Sequence, residues 1–103
     1  MSVSDNIKPP LTIIIPIYNE QENIGAVIDE VIEKVTPHHT LDLIIIDDGS
    51  DDQVAPLLVE KSTRHKELRW QKHPNRSGKS AALRTGMLMA KNLWVGTMDG
   101  DGQ

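Results

Sequence analysis

Two aspartates one residue apart, Asp99 and Asp101, follow a hydrophobic stretch, alternate with Gly100 and Gly102, and lead into Gln103. Carboxylates at alternate positions of an extended segment project to one side, and hard divalent cations take such oxygen ligands. The glycines leave room for phosphate oxygens. An EF-hand loop shares the Asp-x-Asp spacing, but it needs further ligands out to a bidentate glutamate and flanking helices, and the chain has neither. The bland alternative is a turn. A second acidic pair, Asp47 and Asp48, ends an isoleucine run. Neighbouring strand residues face opposite sides, so one carboxylate is expected toward the core edge and the other toward a ligand cleft. There it can accept hydrogen bonds from base N–H groups or ribose hydroxyls. The alternative is a turn in which Asp48, Gly49 and Ser50 serve the backbone.

Two further segments carry usable chemistry. Pro16-Ile17-Tyr18-Asn19-Glu20 follows another isoleucine run; Tyr18 offers a stacking face and Asn19 or Glu20 a hydrogen bond to a ribose or base edge, or else a cap for the next helix. Arg76-Ser77-Gly78-Lys79-Ser80 precedes a helical pattern, so backbone N–H groups, the helix dipole and two cations could face a diphosphate. A P-loop is the rival reading, and it requires a glycine where this chain has His73. The histidines, His38, His39, His65 and His73, form no ligand spacing with a carboxylate and are read as surface residues. Met87 and Met89 read as core filler.

The elements that must position these groups are legible in the hydrophobic pattern. Leu11 to Ile17 and Leu43 to Ile46 are apolar runs of the kind found in parallel strands buried on both faces. Ile24, Val27, Ile28, Val31, Ile32 and Val35 recur at helical spacing over Glu20 to Val35, which Pro37 ends. A second helix is expected from near Asp52 with Pro56 in its first turn, a short strand over Leu68 to Lys72, a third helix over Lys79 to Asn92 with a small-residue face at Ala81, Ala82, Gly86, Met87 and Ala90 packed on the sheet, and a fourth strand over Leu93 to Met98. Alternation of this kind predicts an α/β fold, an open, mostly parallel Rossmann-like sheet with alternating helices and right-handed crossovers. Ligands of such sheets bind at the carboxyl ends of strands, where the polar motifs lie.

Composition sets the outer bounds. The chain has 103 residues, 38% apolar and 25% charged, enough for one globular domain. Residues 1–10 read as a flexible amino-terminal arm and residues 11–103 as the domain. A net charge of -4 without a basic run argues against nucleic acid as a partner. Absence of cysteine rules out disulfides and thiolate metal sites within it. No signal-peptide pattern opens the chain, and the longest apolar run is far below the roughly 20 residues of a membrane span. The expected location is cytoplasmic, with at most peripheral membrane contact.

Taken in order, Ile15-Pro16-Ile17-Tyr18-Asn19-Glu20, Ile46-Asp47-Asp48-Gly49-Ser50, Gly78-Lys79-Ser80-Ala81-Ala82-Leu83-Arg84-Thr85-Gly86 and Met98-Asp99-Gly100-Asp101-Gly102-Gln103 closely resemble the start of the family 2 glycosyltransferases, nearest the dolichol-phosphate mannosyltransferase and undecaprenyl-phosphate sugar transferase branch. That resemblance implies a GT-A fold and transfer, with inversion, of a sugar from a nucleotide-diphospho-sugar (a UDP- or GDP-sugar) to an acceptor such as a polyprenyl phosphate. It implies that Pro16, Tyr18 and Glu20 line the nucleoside pocket, with Asp47 and Asp48 at its edge and Asp48 on the base. Lys79 would stand near the pocket wall or the phosphates, and Asp99, Asp101 and Gln103 would hold Mg2+ or Mn2+. Family members continue well past the metal motif, so the general base is expected beyond Gln103 and the 103 residues alone are expected to be inactive, the alternative being a non-catalytic nucleotide-binding fragment. An exposed sheet edge at the fourth strand would favour self-association.

Overall fold

The isoleucine runs become the two central strands of one parallel sheet. The structure, a computed structural model, describes residues 7–100; Asp101, Gly102 and Gln103 lie outside them. Along the chain come β1 (Pro10–Ile17), α1 (Gln21–Val35), β2 (Thr40–Asp47), α2 (Val54–Arg64), β3 (Leu68–Lys72), α3 (Lys79–Met89) and β4 (Val95–Thr97). All strand pairs are parallel, in the order β3-β2-β1-β4. The fold is therefore the expected α/β sheet with alternating helices.

Alternation along β1 and β2 sorts the core into two layers. Ile13, Ile15, Ile17, Leu43 and Ile45 pack against Ile24, Val27, Ile28 and Val31 of α1 and Val54 and Leu58 of α2. The opposite face carries Ile14, Ile44 and Ile46 against Ala82 of α3. Central strands covered on both sides must be apolar throughout, which is why the two runs read as unbroken. Chain direction explains the sides. From β1 through β2 to β3 the sheet grows one way with α1 and α2 on one face; the return to β4, beside β1, reverses direction and puts α3 on the other face, as right-handed crossovers require.

Close packing of α3 depends on small residues. Ala82 is fully buried, and a Cβ built on Gly86 would stand 2.5 Å from Ile14 Cγ2. Of the expected face, Ala82 and Gly86 are buried and Ala90 packs against the same core, whereas Met87, expected on that face and as core filler, is exposed, and Met89 is the methionine of α3 that packs there.

Several boundaries move for tertiary reasons. β2 begins at Thr40 because Thr40, Leu41 and Asp42 pair in register with Pro10, Leu11 and Thr12. Pro10, assigned to the arm from sequence, opens β1, and Pro9 O accepts a hydrogen bond from Thr40 N at 3.0 Å. α3 stops at Met89 instead of Asn92. At that end Arg69 donates to Met89 O at 2.7 Å, and Asp42, only 7% exposed, accepts from Arg69 Nε and Nη2, Thr12 Oγ1 and Lys91 N. The Asp42–Arg69 pair closes at 2.9 Å. β4, three residues long, is an edge strand of the described sheet.

Candidate functional site

Strand order reverses between β1 and β4, and the crevice above their carboxyl ends is where an open α/β sheet receives its ligand. A cleft of about 260 Å³ lies there, walled by Pro16, Ile17, Tyr18 and Glu20 from the β1 exit, Asp48 from the β2 exit, Arg76, Lys79 and Ala82 from the loop and first turns of α3, and Asp99 and Gly100 after β4. Pro16, Tyr18, Glu20, Asp48, Lys79 and Asp99, separate in sequence, are thus brought together. Asp47 is not. It shares the face of Ile17 and Ile45, is fully buried, and accepts from Ser50 N through Oδ1 at 2.9 Å. Its Oδ2 has no hydrogen-bond partner among the described residues. The doublet therefore divides as alternation requires, Asp47 to the core and Asp48 to the cleft.

The β2 exit loop organises the helix starts around it. Glu20 occupies the N-cap position of α1 without a capping bond; Asp52 Oδ2 instead accepts from Gln21 N at 3.1 Å, and its Oδ1 accepts from Val54 N, the first residue of α2. Asn19, at φ 53, ties the two loops together, its N–H donating to Ser50 Oγ and its Oδ1 accepting from Asp51 N. Orphan N–H groups at helix starts need acceptors, and here neighbouring loops provide them.

Asp48 does the same for α3. Its Oδ1 accepts from Ser77 N and its Oδ2 from Gly78 N, each at 2.8 Å. These two N–H groups, expected from sequence to face a diphosphate, are therefore already engaged. The first hydrogen bond inside the helix runs from Ala82 N to Gly78 O, so the N–H groups of Lys79, Ser80 and Ala81 precede it. A further bond joins Asp48 Oδ1 to His73 Nδ1 at 2.8 Å, and His73 Nε2 lies 2.8 Å from Thr85 Oγ1. Burial alone would push the Asp48 carboxyl up; the hydrogen bonds from His73, Ser77 N and Gly78 N outweigh it and hold the group below its ordinary value of 3.8. His73 is buried, which corrects the surface assignment made from sequence. No periodicity marks it, because its partners lie in β2 and α3.

Gly49 holds the β2 exit against the α3 loop. Its φ is +79, and a Cβ there would sit 2.6 Å from Arg76 N and 2.7 Å from Asn75 C. Only glycine allows both that backbone angle and that approach. Arg76, so placed, stacks its guanidinium 3.9 Å from the centroid of the Tyr18 ring, a cation–π contact across the cleft mouth. Lys79 Nζ donates to Asp99 Oδ1 at 2.9 Å. The site thus combines an aromatic platform, a carboxylate acceptor, two cations at a helix amino terminus, and a hard oxygen donor.

Asp99 is the part of the expected metal motif within the described residues. Its carboxylate is a hard donor already facing a positive charge, so the residue fits a divalent cation. Among the described residues no cluster of three potential metal ligands gathers.

In known proteins the same fold belongs to GT-A glycosyltransferases. The mannosyltransferase PcManGT from Pyrobaculum calidifontis, solved in complex with GDP-Man and Mn2+, superimposes with a TM-score of 0.82 at 28% identity, covering 93% of this chain and 28% of that one. Residues 12–103 match the family described as Glycosyl transferase family 2, and the chain belongs to that family. Relatives include a dolichyl-phosphate beta-glucosyltransferase from Dictyostelium discoideum, 34% identical over 95% of this chain and 32% of the relative. A dodecaprenyl-phosphate galacturonate synthase from Rhizobium johnstonii is 32% identical over 88% of this chain and 28% of the relative. The chain thus spans about a third or less of the curated relatives it matches. Among the described residues no helix is long and apolar enough to cross a membrane.

Proposed function

We propose that this chain forms the donor-binding part of a glycosyltransferase that moves a sugar, with inversion, from a UDP- or GDP-sugar to a polyprenyl phosphate at the cytoplasmic face of a membrane. One observation carries the reading: Tyr18, Asp48, Lys79 and Asp99 converge on a single cleft at the strand-order reversal. Tyr18 is the stacking face for the base, Asp48 the acceptor for a base N–H, and Glu20 with Pro16 the ribose side of the pocket. The names of the polyprenyl-phosphate relatives support the acceptor, and the GDP-Man and Mn2+ of the mannosyltransferase support the donor class and the metal.

In the transfer an acceptor oxygen attacks the anomeric carbon from the face opposite the diphosphate. The electron pair of the breaking carbon–oxygen bond departs on the leaving diphosphate, so the centre inverts. Lys79 and the amino terminus of α3 lie where that negative charge develops, and preformed positive charge there stabilises the transition state more than the ground state. Asp99, together with Asp101 and Gln103, is the set that would hold Mg2+ or Mn2+. Such an ion supplies Lewis-acid neutralisation of the diphosphate.

Calorimetry with UDP, GDP and their sugar conjugates, with and without Mn2+, tests the reading. Metal-dependent binding of one nucleotide class is expected, lost in Asp99→Ala and Asp101→Ala while circular dichroism stays unchanged. Equal binding by the Asp99→Ala chain would overturn the metal assignment, and no nucleotide binding by a folded sample would overturn the donor site.

A further inference from the structure

His73 is the buried titratable group that the proposed transfer leaves unused. Its side chain is 11% exposed and its ring joins three elements: the β3 exit that carries it, the β2 exit through Asp48, and α3 through Thr85. Its backbone N–H donates to Asp47 O at 2.8 Å, continuing the β2–β3 ladder, so the ring is fixed from both ends.

Counting protons and lone pairs defines what the ring does. An ionised carboxylate only accepts, so the bond between His73 Nδ1 and Asp48 Oδ1 requires the proton on Nδ1. On the other side, Thr85 Oγ1 lies 2.8 Å from Nε2 and 3.1 Å from Ala81 O. The hydroxyl can give its proton to Nε2 of a neutral ring, or give it to Ala81 O while a charged ring donates to Oγ1. Either arrangement satisfies every group and leaves the ring orientation unchanged. For Asp48, Oδ1 accepts two hydrogen bonds, from His73 and Ser77 N, and Oδ2 accepts one, from Gly78 N. With two acceptor positions on each oxygen, a single one remains, on Oδ2 of a residue that lines the cleft.

We propose that His73, held by Thr85, is a positioning residue for base recognition: by fixing the Asp48 carboxylate it reserves the last acceptor position on Oδ2 for a ring N–H on the pairing edge of uracil or guanine. The inference rests on the reading of the cleft as a nucleoside site. It adds a specificity determinant outside the cleft wall, since His73 itself is not among the residues that line it.

The test compares each nucleotide with an analogue whose ring N–H is blocked: UDP against N3-methyl-UDP, and GDP against N1-methyl-GDP, by calorimetry on the wild-type chain and on His73→Leu, His73→Asn and Thr85→Val. A hydrogen bond to a charged acceptor is worth roughly a 10- to 100-fold preference for the unmethylated nucleotide. In His73→Leu that preference is expected to collapse to within about 2-fold, and in His73→Asn, whose amide N–H occupies the place of Nδ1–H, to recover to within about 3-fold of wild type. Thr85→Val, which keeps side-chain volume, is expected to lose about 3-fold of the preference and provides the answer should His73→Leu fail to fold. A purely structural role lowers the melting temperature of these variants without touching the preference. Unchanged discrimination in a folded His73→Leu or Thr85→Val chain therefore overturns the inference. Failure of the wild type to bind either nucleotide overturns instead the nucleoside-site reading, and this inference with it.

Discussion

Replacing Gly86 with alanine sets helix propensity against packing, and the structure says which wins. In an isolated helix the change would stabilise by about 1 kcal/mol. Here the new methyl would stand 2.5 Å from Ile14 Cγ2 and 3.0 Å from Ile14 Cδ1. Carbon atoms attract best at about 3.5–4.0 Å. Ile14 is fully buried at the centre of the sheet. Its Cγ2 sits on a β-branched carbon with little rotamer freedom, so relief requires α3 to rise from the sheet. Overpacking of this kind costs about 1–3 kcal/mol. Overlap at the upper end of that range leaves Gly86→Ala destabilised by about 1–2 kcal/mol net. For a domain of this size each kcal/mol lowers Tm by about 4–8 °C. Urea melts give the free energy directly. The sharper assay is the cycle with Ile14→Ala, which alone costs about 2–5 kcal/mol. Removing Cγ2 opens the space, so Gly86→Ala should become neutral or stabilising by about 1 kcal/mol in that background. If Gly86→Ala stabilises the wild type as much as it stabilises Ile14→Ala, the helix does not rest on that isoleucine and the packing argument is wrong.

Other outcomes follow from the same geometry. Gly49→Ala meets both the positive backbone angle and the Arg76 backbone; a loss of about 2 kcal/mol or more in urea melts is expected, together with weaker nucleotide binding as Arg76 leaves Tyr18. Arg69→Met removes one partner of a buried carboxylate that keeps Thr12 and Lys91 N as donors, so a cost of about 2–3 kcal/mol, little affected by added salt, should appear in the same assay. Because the Asp48 carboxyl is held below 3.8 in the folded chain, the unfolded chain takes up that proton first. Its stabilising contribution is complete above the ordinary value and declines as pH falls through the lower folded one. Stability measured against pH should accordingly drop less steeply in that acid range for Asp48→Asn than for wild type, from a lower plateau at neutral pH.

β1, β2 and α1 could be read from apolar runs and helical spacing, because each buries residues whose period is a property of the element alone, while the short β3 and β4, with one buried residue and none, are placed by the alternation of strands and helices. Tyr18, Glu20, Asp48 and Asp99 could be singled out because polar types follow apolar strands, Pro16 because it closes the first of those runs and Lys79 because it opens a helix, and the cleft gathers those six. What the sequence hid depends on partners far along the chain. Asp42 interrupts the apolar run of β2 and shortened the expected strand, since its partner Arg69 lies 27 residues away. The same pair ends α3 early through Met89 O and Lys91 N. His73 carries no local sign of burial, and the engagement of Ser77 and Gly78 N–H by Asp48 follows only from bringing the β2 exit beside α3. Asp101 and Gln103 fall outside the described residues.

Asp42 in β2 and Asp48 just past its end hold the two ends of α3, Asp42 the carboxyl end through Arg69 and Lys91 and Asp48 the amino end through Ser77 and Gly78. The strand is therefore a gauge for the helix. Six strand steps span about 20 Å, and the helix must fill the distance between the two grips. Lengthening β2 by two residues would preserve which side chains face α3 yet draw the grips apart by about 7 Å, enough to release one of them and carry Lys79 away from Asp99. Length changes in this strand can be tolerated only when α3 changes to match, so the two segments have to vary as a measured pair.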